Sequence, residues 1–276
     1  MAIRTFAAID VGSFELEMGI YEMSYKTGIR RVDHVRHVIA LGKDTYSQGK
    51  ISYGLVEEMC QVLGEFAQIM KAYRVKDYRA YATSAMREAH NNQIILDQIR
   101  VRTGLNVRII SNSEQRFISY KAIAAKAGEF NKIIQKGTAI VDVGFGSAQL
   151  SLFDKDSLVT TQNLPLGTLR VRGLLANIPA TVAEHREHIE EIVDNELFTF
   201  RKMYLKDREI NNLIGIGENI LYIINRMDLK AYGDRIDAAT MNRFYERLCQ
   251  LTTDQIEEKF GVNSEYASLL LPSVVV

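Results

Sequence analysis

Two strand-like apolar runs in this chain end in the same way. "FAAIDVGS" (6–13) and "AIVDVGFGS" (139–147) each close on an aspartate with a glycine two residues further on. Asp10 and Asp142 lie 132 residues apart, about one domain length. Each run is followed by an alternating segment, "FELEMGIYEM" (14–23) and "AQLSLFD" (148–154). Each therefore reads as strand, tight turn and returning strand. A hairpin that restarts after a domain length suggests two similar domains. Each offers an Asp-x-Gly turn to a shared interdomain cleft, a common place for a ligand.

The rest of the chain fits an α/β class, because strand and helix patterns alternate. "RRVDHVRHVIAL" (30–41) reads as a third strand. Val56, Met59, Leu63, Phe66, Met70 and Tyr73 recur at helical spacing over 55–73. "DYRAYATSAM" (77–86) reads as a strand entering a polar turn, followed by a helix over 90–103 and a strand at 106–111. Ser111 and Glu114 form a capping-box pair for a helix over 112–127. Thr181 and Glu184 form another, opening a helix to about residue 205. "NNLIGIGENI" (211–220) reads as strand, glycine turn and helix, and 240–260 as helix. The expected domains are 1–127 and 128–276. The apolar ending "SLLLPSVVV" is strand- or helix-like, and suggests either a chain cut from a longer protein or a buried end.

An Asp-x-Gly turn suits phosphate for a physical reason. Glycine permits backbone angles that other residues avoid, and successive N–H groups can converge on an anion. The aspartate can hold Mg²⁺ through water or orient an attacking water, and Ser13 and Ser147 add hydroxyls. The 34 basic and 34 acidic residues cancel, which argues against a general nucleic-acid binder. Cys60 and Cys249 stand far apart, so neither a disulfide framework nor a zinc site is expected, and a cytoplasmic setting fits. No apolar stretch reaches the length of a membrane span. Gly42 to Gly49-Lys50-Ile51 has the wrong spacing for a Walker loop and lacks its hydroxyl residue.

Several segments, in order, resemble the exopolyphosphatase / guanosine pentaphosphate phosphohydrolase family of the actin-like superfamily. "AAIDVGSFELEMGIYE" resembles its first phosphate motif. "YATSAMREAHN" resembles its Ala-Thr-Ser-Ala-x-Arg-Glu-Ala segment. "VRIISNSEQRFISYKA" falls on Ile-Ser-Gly-x-Glu-Glu-Ala-Arg, "AIVDVGFGSAQL" on Asp-Ile-Gly-Gly-Gly-Ser-Thr-Glu-Leu, and "LPLGTLRVR" on a Gly-x-x-Arg stretch. The resemblance implies two actin-like, ribonuclease-H-type domains and Mg²⁺-dependent hydrolysis of polyphosphate or guanosine pentaphosphate. It implies phosphate contacts from Arg87, Asp10, Gly12, Ser13, Asp142, Gly144, Gly146 and Ser147, with Asp10 and Asp142 toward the metal. It also implies a helix and strand beyond Val276, and leaves a homodimer open.

The departures cluster in this machinery. The family's catalytic Glu falls on Gln115, and a neutral amide cannot take a proton from water at neutral pH. The Glu after its second glycine loop falls on Gln149 and the Thr on Ala148. Its middle glycine is Phe145, which would obstruct a phosphate. The Asn after the first loop is Phe14, and Glu218-Asn219 stand where Gly-Thr is usual. Glu114 is either a substitute base or the cap partner of Ser111; Gln115 can still orient a water. Arg87 is either a cleft residue or a surface partner of Glu88 or Asp77. Two readings follow: a hydrolase acting through Glu114, Gln115 and Arg87, or an impaired sensor that binds a phosphorylated nucleotide or polyanion. His34 and His37 point to opposite faces of a strand, and His185 and His188 sit among charges, so neither pair reads as a metal site. Arg30, Arg31, Arg36, Arg116, Arg170 and Arg172 could form a basic groove.

Overall fold

The computed structural model describes residues 3–26, 28–126, 130–175, 182–217 and 236–276. The chain divides into two compact units, Met1–Ile118 and Ser119–Val276, each built on its own sheet.

In the first unit β1 (Arg4–Val11), β2 (Glu15–Ser24) and β3 (Gly28–Val38) form an antiparallel meander. Next come α1 (Leu41–Gln48), α2 (Tyr53–Ala72), β4 (Asp77–Ala82), α3 (Ser84–Glu88), α4 (Asn92–Thr103) and β5 (Arg108–Ile109). The sheet order is β3-β2-β1-β4-β5, with β4 parallel to β1 and β5 parallel to β4. The strand period of two sorts side chains between faces: Ala7, Ile9 and Val11 are buried while Ala8 and Asp10 are exposed. The buried face packs on Met59, Leu63 and Phe66 of α2. α4 ends where Gly104 takes a left-handed φ of 73° and donates to Arg100 O.

α5 (Asn112–Lys126) starts in the first unit and runs into the second. There α6 (Phe130–Ile133), β6 (Thr138–Val143), β7 (Ala148–Asp154) and β8 (Ser157–Leu164) follow. α7 (Thr168–Leu175), α8 (Val182–Phe200), a π-helical turn at Arg201–Leu205 and β9 (Asn212–Ile216) come next. α9 (Ala238–Leu248), α10 (Thr253–Phe260) and α11 (Ser264–Val275) complete the unit. The sheet order is β8-β7-β6-β9, with β9 parallel to β6. Four strands thus repeat the layout of the first unit: an antiparallel meander, then a strand returning parallel beside the first. The chain is an α/β protein with two sheet-containing domains.

Several elements depart from the pattern reading. The third strand stops at Val38, and Leu41 opens a helix. The strand at 77 stops at Ala82, because Ser84–Glu88 is helical. The stretch 240–260 is two helices: Thr252 accepts from Gln255 N at 3.3 Å and its own N–H reaches Gln255 Oε1 at 2.9 Å, a capping box that starts α10 afresh. The apolar ending is helix α11, whose Ala267 and Leu270 pack with Phe244, Leu248 and Ile256. Thr181 and Glu218-Asn219 lie outside the described residues, as does the helix expected after Gly217.

Candidate functional site

The first Asp-x-Gly turn is tight because Gly12 N donates to Glu15 O at 2.9 Å. A Cβ on Gly12 would lie 2.9 Å from that oxygen. Close approach, not a left-handed backbone, therefore demands glycine here. Neither Gly12, Gly144 nor Gly146 stands among the described glycines with positive φ, so the conformational reason expected from sequence does not hold. Phe14 is fully buried, and its carbonyl accepts from Ile39 N and Ala40 N. Asp10, next to last in β1, is exposed and stands opposite Glu17.

Ser13 is 3% exposed, and its hydroxyl is engaged inside the fold. Oγ lies 2.7 Å from Tyr46 Oη of α1 and 2.8 Å from Ser84 Oγ of α3, and it accepts from Ala85 N at 3.2 Å. Thr83 N also donates to Val11 O. The turn and the "ATSA" segment are thereby one hydrogen-bonded unit. Tyr46 was missed from sequence because its helix was not read. α3 carries Arg87, whose Nη1 donates to Ile110 O at 2.7 Å. Burial lowers the Arg87 pKa, with Glu88 and Tyr46 acting the other way. Among the described residues its hydrogen bond goes to this backbone carbonyl rather than to Glu88 or Asp77.

Glu114 closes the expected capping box. Its Oε2 accepts from Ser111 N at 2.9 Å, while Ser111 Oγ accepts from Glu114 N at 3.2 Å. Arg108 Nη1 donates to Oε1 at 2.7 Å. The Ser111 N–H, then Arg108, hold the carboxyl down at about 2. A carboxyl lowered on folding stabilises above its unfolded value and loses that contribution as pH falls through the folded one. Glu114→Gln should therefore be less stable than the parent at neutral pH. The difference should shrink below the ordinary 4.5 and vanish near about 2, read by urea unfolding across that range. A pH-independent difference would contradict the capping role. Beside Glu114, Gln115 has a buried Oε1 with no hydrogen-bond partner among the described residues.

The second turn gathers more polar chemistry. Asp142 at the end of β6 is half-buried, and burial pushes its carboxyl upward. Ser119 Oγ of α5 donates to Oδ2 at 3.3 Å. Gln149 stands directly opposite Asp142 in the β6–β7 register. It is 3% exposed, and neither its Oε1 nor its Nε2 has a partner among the described residues. Gly217 follows β9 at φ 115°; a Cβ there would lie 2.7 Å from Val143 O and 3.7 Å from Asp142 Oδ1. The polar groups thus meet where parallel β6 and β9 both end, a common ligand position in α/β sheets. Ser119 was missed from sequence; its signal was a hydroxyl on α5 one and a half turns beyond Glu114.

The glycine loop is docked on α7. Thr168 N donates to Gly144 O at 3.1 Å, Leu169 N to Phe145 O at 2.9 Å, and Arg170 Nε to Gly146 O at 3.0 Å. The N–H groups that could cradle an anion at this helix start are instead occupied by loop carbonyls. Phe145 is half-buried, and Ser147 is buried.

The other candidates have partners of their own. His34 faces Glu17 and His37 faces Glu58, on different elements. Arg30 pairs with Glu22, Arg36 with Glu15 and Glu17, and Arg172 with Glu265, while Arg116 reaches Ser113. Three of the six arginines of the expected basic groove, Arg30, Arg36 and Arg172, are thus paired with carboxylates. Among the described residues no group of three His, Cys, Asp or Glu could hold a metal. Asp142 with the amide oxygen of Gln149 is still a hard-oxygen set of the kind Mg²⁺ uses, since that ion takes one or two carboxylates and completes its shell with phosphate and water. No described helix is long and apolar enough to cross a membrane.

A family model described as the Ppx/GppA phosphatase family matches residues 22–276. Exopolyphosphatase 1 of Mycobacterium leprae is 27% identical over 165 residues, covering 59% of this chain and 47% of that protein. A guanosine-5'-triphosphate,3'-diphosphate pyrophosphatase of Photobacterium profundum is 24% identical over 197 residues, covering 68% of this chain and 38% of that protein. The chain spans about half the length, or less, of these curated relatives. Among solved structures, an exopolyphosphatase from Cytophaga hutchinsonii superposes with a TM-score of 0.76 at 18% identity, covering 99% of this chain and 88% of the other. The Aquifex aeolicus Ppx/GppA family member gives 0.75 at 18% identity with the same coverage. At these identities the structural matches speak for the fold.

Proposed function

The chain belongs to the Ppx/GppA phosphatase family, and from that premise we propose that it binds the terminal phosphates of inorganic polyphosphate or guanosine pentaphosphate and releases phosphate slowly. The observation that carries this reading is the Asp142 carboxylate set beside a buried Gln149 amide that has no partner among the described residues, at the ends of β6 and β9. A buried polar group without a partner is destabilising, so such a pair is suited to a ligand that supplies what is missing.

Asp142 and the Gln149 oxygen would hold Mg²⁺ in the second unit, with Asp10 the proposed carboxylate of the first. Mg²⁺ bound there offsets phosphate charge. Arg87 contributes a permanent positive charge to the terminal phosphate. Water forms the new bond to the terminal phosphorus as the bridging P–O bond breaks. Gln115 orients that water without accepting its proton, which passes to a phosphate oxygen. Glu114 is assigned to the helix cap and Ser13 to positioning of the Arg87 segment. The actin-like superfamily and the cytoplasmic setting belong to the same proposal.

A second reading, binding without turnover, is favoured by Gln115 itself and by the two partners that hold the Glu114 carboxylate. One assay separates the readings: phosphate release and equilibrium binding, measured side by side on both substrates with Mg²⁺. Release lowered about a hundredfold by Arg87→Ala supports the hydrolase. Binding without release supports the sensor. A protein that neither binds nor releases phosphate contradicts both.

A further inference from the structure

Gln149 carries one more consequence. Its amide is 3% exposed, stands opposite Asp142 on the same face of the sheet, and has no partner at Oε1 or Nε2 among the described residues. A carboxylate at that place could only accept. An amide offers an acceptor and two donors at once. A lone cation would satisfy Oε1 and leave the N–H groups facing positive charge. A lone phosphate would satisfy Nε2 but meet the Asp142 carboxylate with nothing to offset the repulsion. A divalent cation and a phosphate oxygen arriving together satisfy every group.

Resting on the reading that the Asp142 turn holds phosphate, we propose that Gln149 makes this site accept a divalent cation and a phosphate group only as a pair. The amide oxygen serves the cation or its water shell, and the amide N–H serves a phosphate oxygen.

The experiment is isothermal titration of the whole chain with inorganic triphosphate in Mg²⁺, triphosphate in EDTA, and Mg²⁺ alone. The wild type is expected to bind only when both components are present. Gln149→Glu should bind Mg²⁺ alone and lose about tenfold in affinity for the pair. Gln149→Leu should also lose about tenfold or more, the equivalent of one charge-assisted hydrogen bond. Its ligand-free Tm should match or exceed that of the wild type, because the unpaired buried atoms are gone. Gln149→Met, unbranched and of similar length, replaces it if the leucine variant does not fold. Wild-type affinity in the apolar variant overturns the pairing, and so does wild-type binding of Mg²⁺ alone as tight as in Gln149→Glu. A wild type that binds no triphosphate in any condition instead overturns the functional reading beneath it.

Discussion

Gln115→Glu is expected to raise phosphate release by about 10²–10⁴-fold, the usual contribution of a general base. The change is isosteric and falls in the first turn of α5, where the helix dipole favours a carboxylate. The Gln115 Oε1 is buried and unpartnered among the described residues, so the new carboxylate displaces no existing hydrogen bond there. It would be free to take the proton that the proposed mechanism now leaves on the substrate. Glu114 is a poor alternative. A carboxyl held at about 2 is a weak proton acceptor at neutral pH, since base strength follows pKa. Glu114→Gln should therefore leave turnover per folded molecule unchanged while weakening α5. The measurement is initial-rate phosphate release at saturating polyphosphate, with binding followed in parallel. An unchanged rate in Gln115→Glu, with binding intact, would mean that Phe145 or Ala148 limits the reaction instead.

Much of the fold was legible because long apolar periodicity survives tertiary context. The helical spacing over 55–73 corresponds to α2, Tyr53–Ala72, and the Asp10 and Asp142 strands and their returning partners stand where the alternation places them. Two missed helices share a physical cause. "LGKDTYSQ" and "TLRVRGLL" are short and rich in glycine, threonine or alternating polar residues, so their helical character depends on packing rather than propensity. α1 is held by hydrogen bonds to the Ser13 turn and α7 by the glycine loop. Both are tertiary contacts with no local signature.

The site was legible as a set of positions and less so as physics. Asp142 and Gln149 were singled out by their place along the chain. Their direct apposition needs the β6–β7 register, and that the amide has no partner among the described residues is visible only in the folded chain. Ser13 shows the opposite case: a hydroxyl read as a phosphate donor is held by Tyr46 and Ser84. Sequence cannot tell a hydroxyl that faces a ligand from one that fastens three elements together.

The largest stability effect is expected at Gly167, just before α7. A Cβ there would lie 2.0 Å from the Gly146 carbonyl carbon, 2.3 Å from its Cα and 2.3 Å from Ser147 N. All three atoms are backbone, so no side chain can turn aside to make room. In Gly167→Ala the start of α7 must part from the loop, opening the bonds from Thr168 N and Leu169 N and from Arg170 Nε. At about 1 kcal/mol each, with about 1–3 kcal/mol of overpacking strain, the loss is about 4–6 kcal/mol. That is a large part of the roughly 5–15 kcal/mol by which domains are stable. The same separation unseats Leu166, Leu169 and Val171, each at most 3% exposed. For a unit of this size the Tm should fall by roughly 10–20 °C. Gly173→Ala, in the same helix with nothing within 4 Å of its added Cβ, should instead stabilise by about 0.5–1 kcal/mol. Thermal unfolding of the two variants beside the parent tests the pair. If Gly167→Ala melts with the wild type, the glycine loop is not clamped on α7, and an occupied helix start can no longer explain why the anion site proposed at the Asp142 turn would depend on side chains.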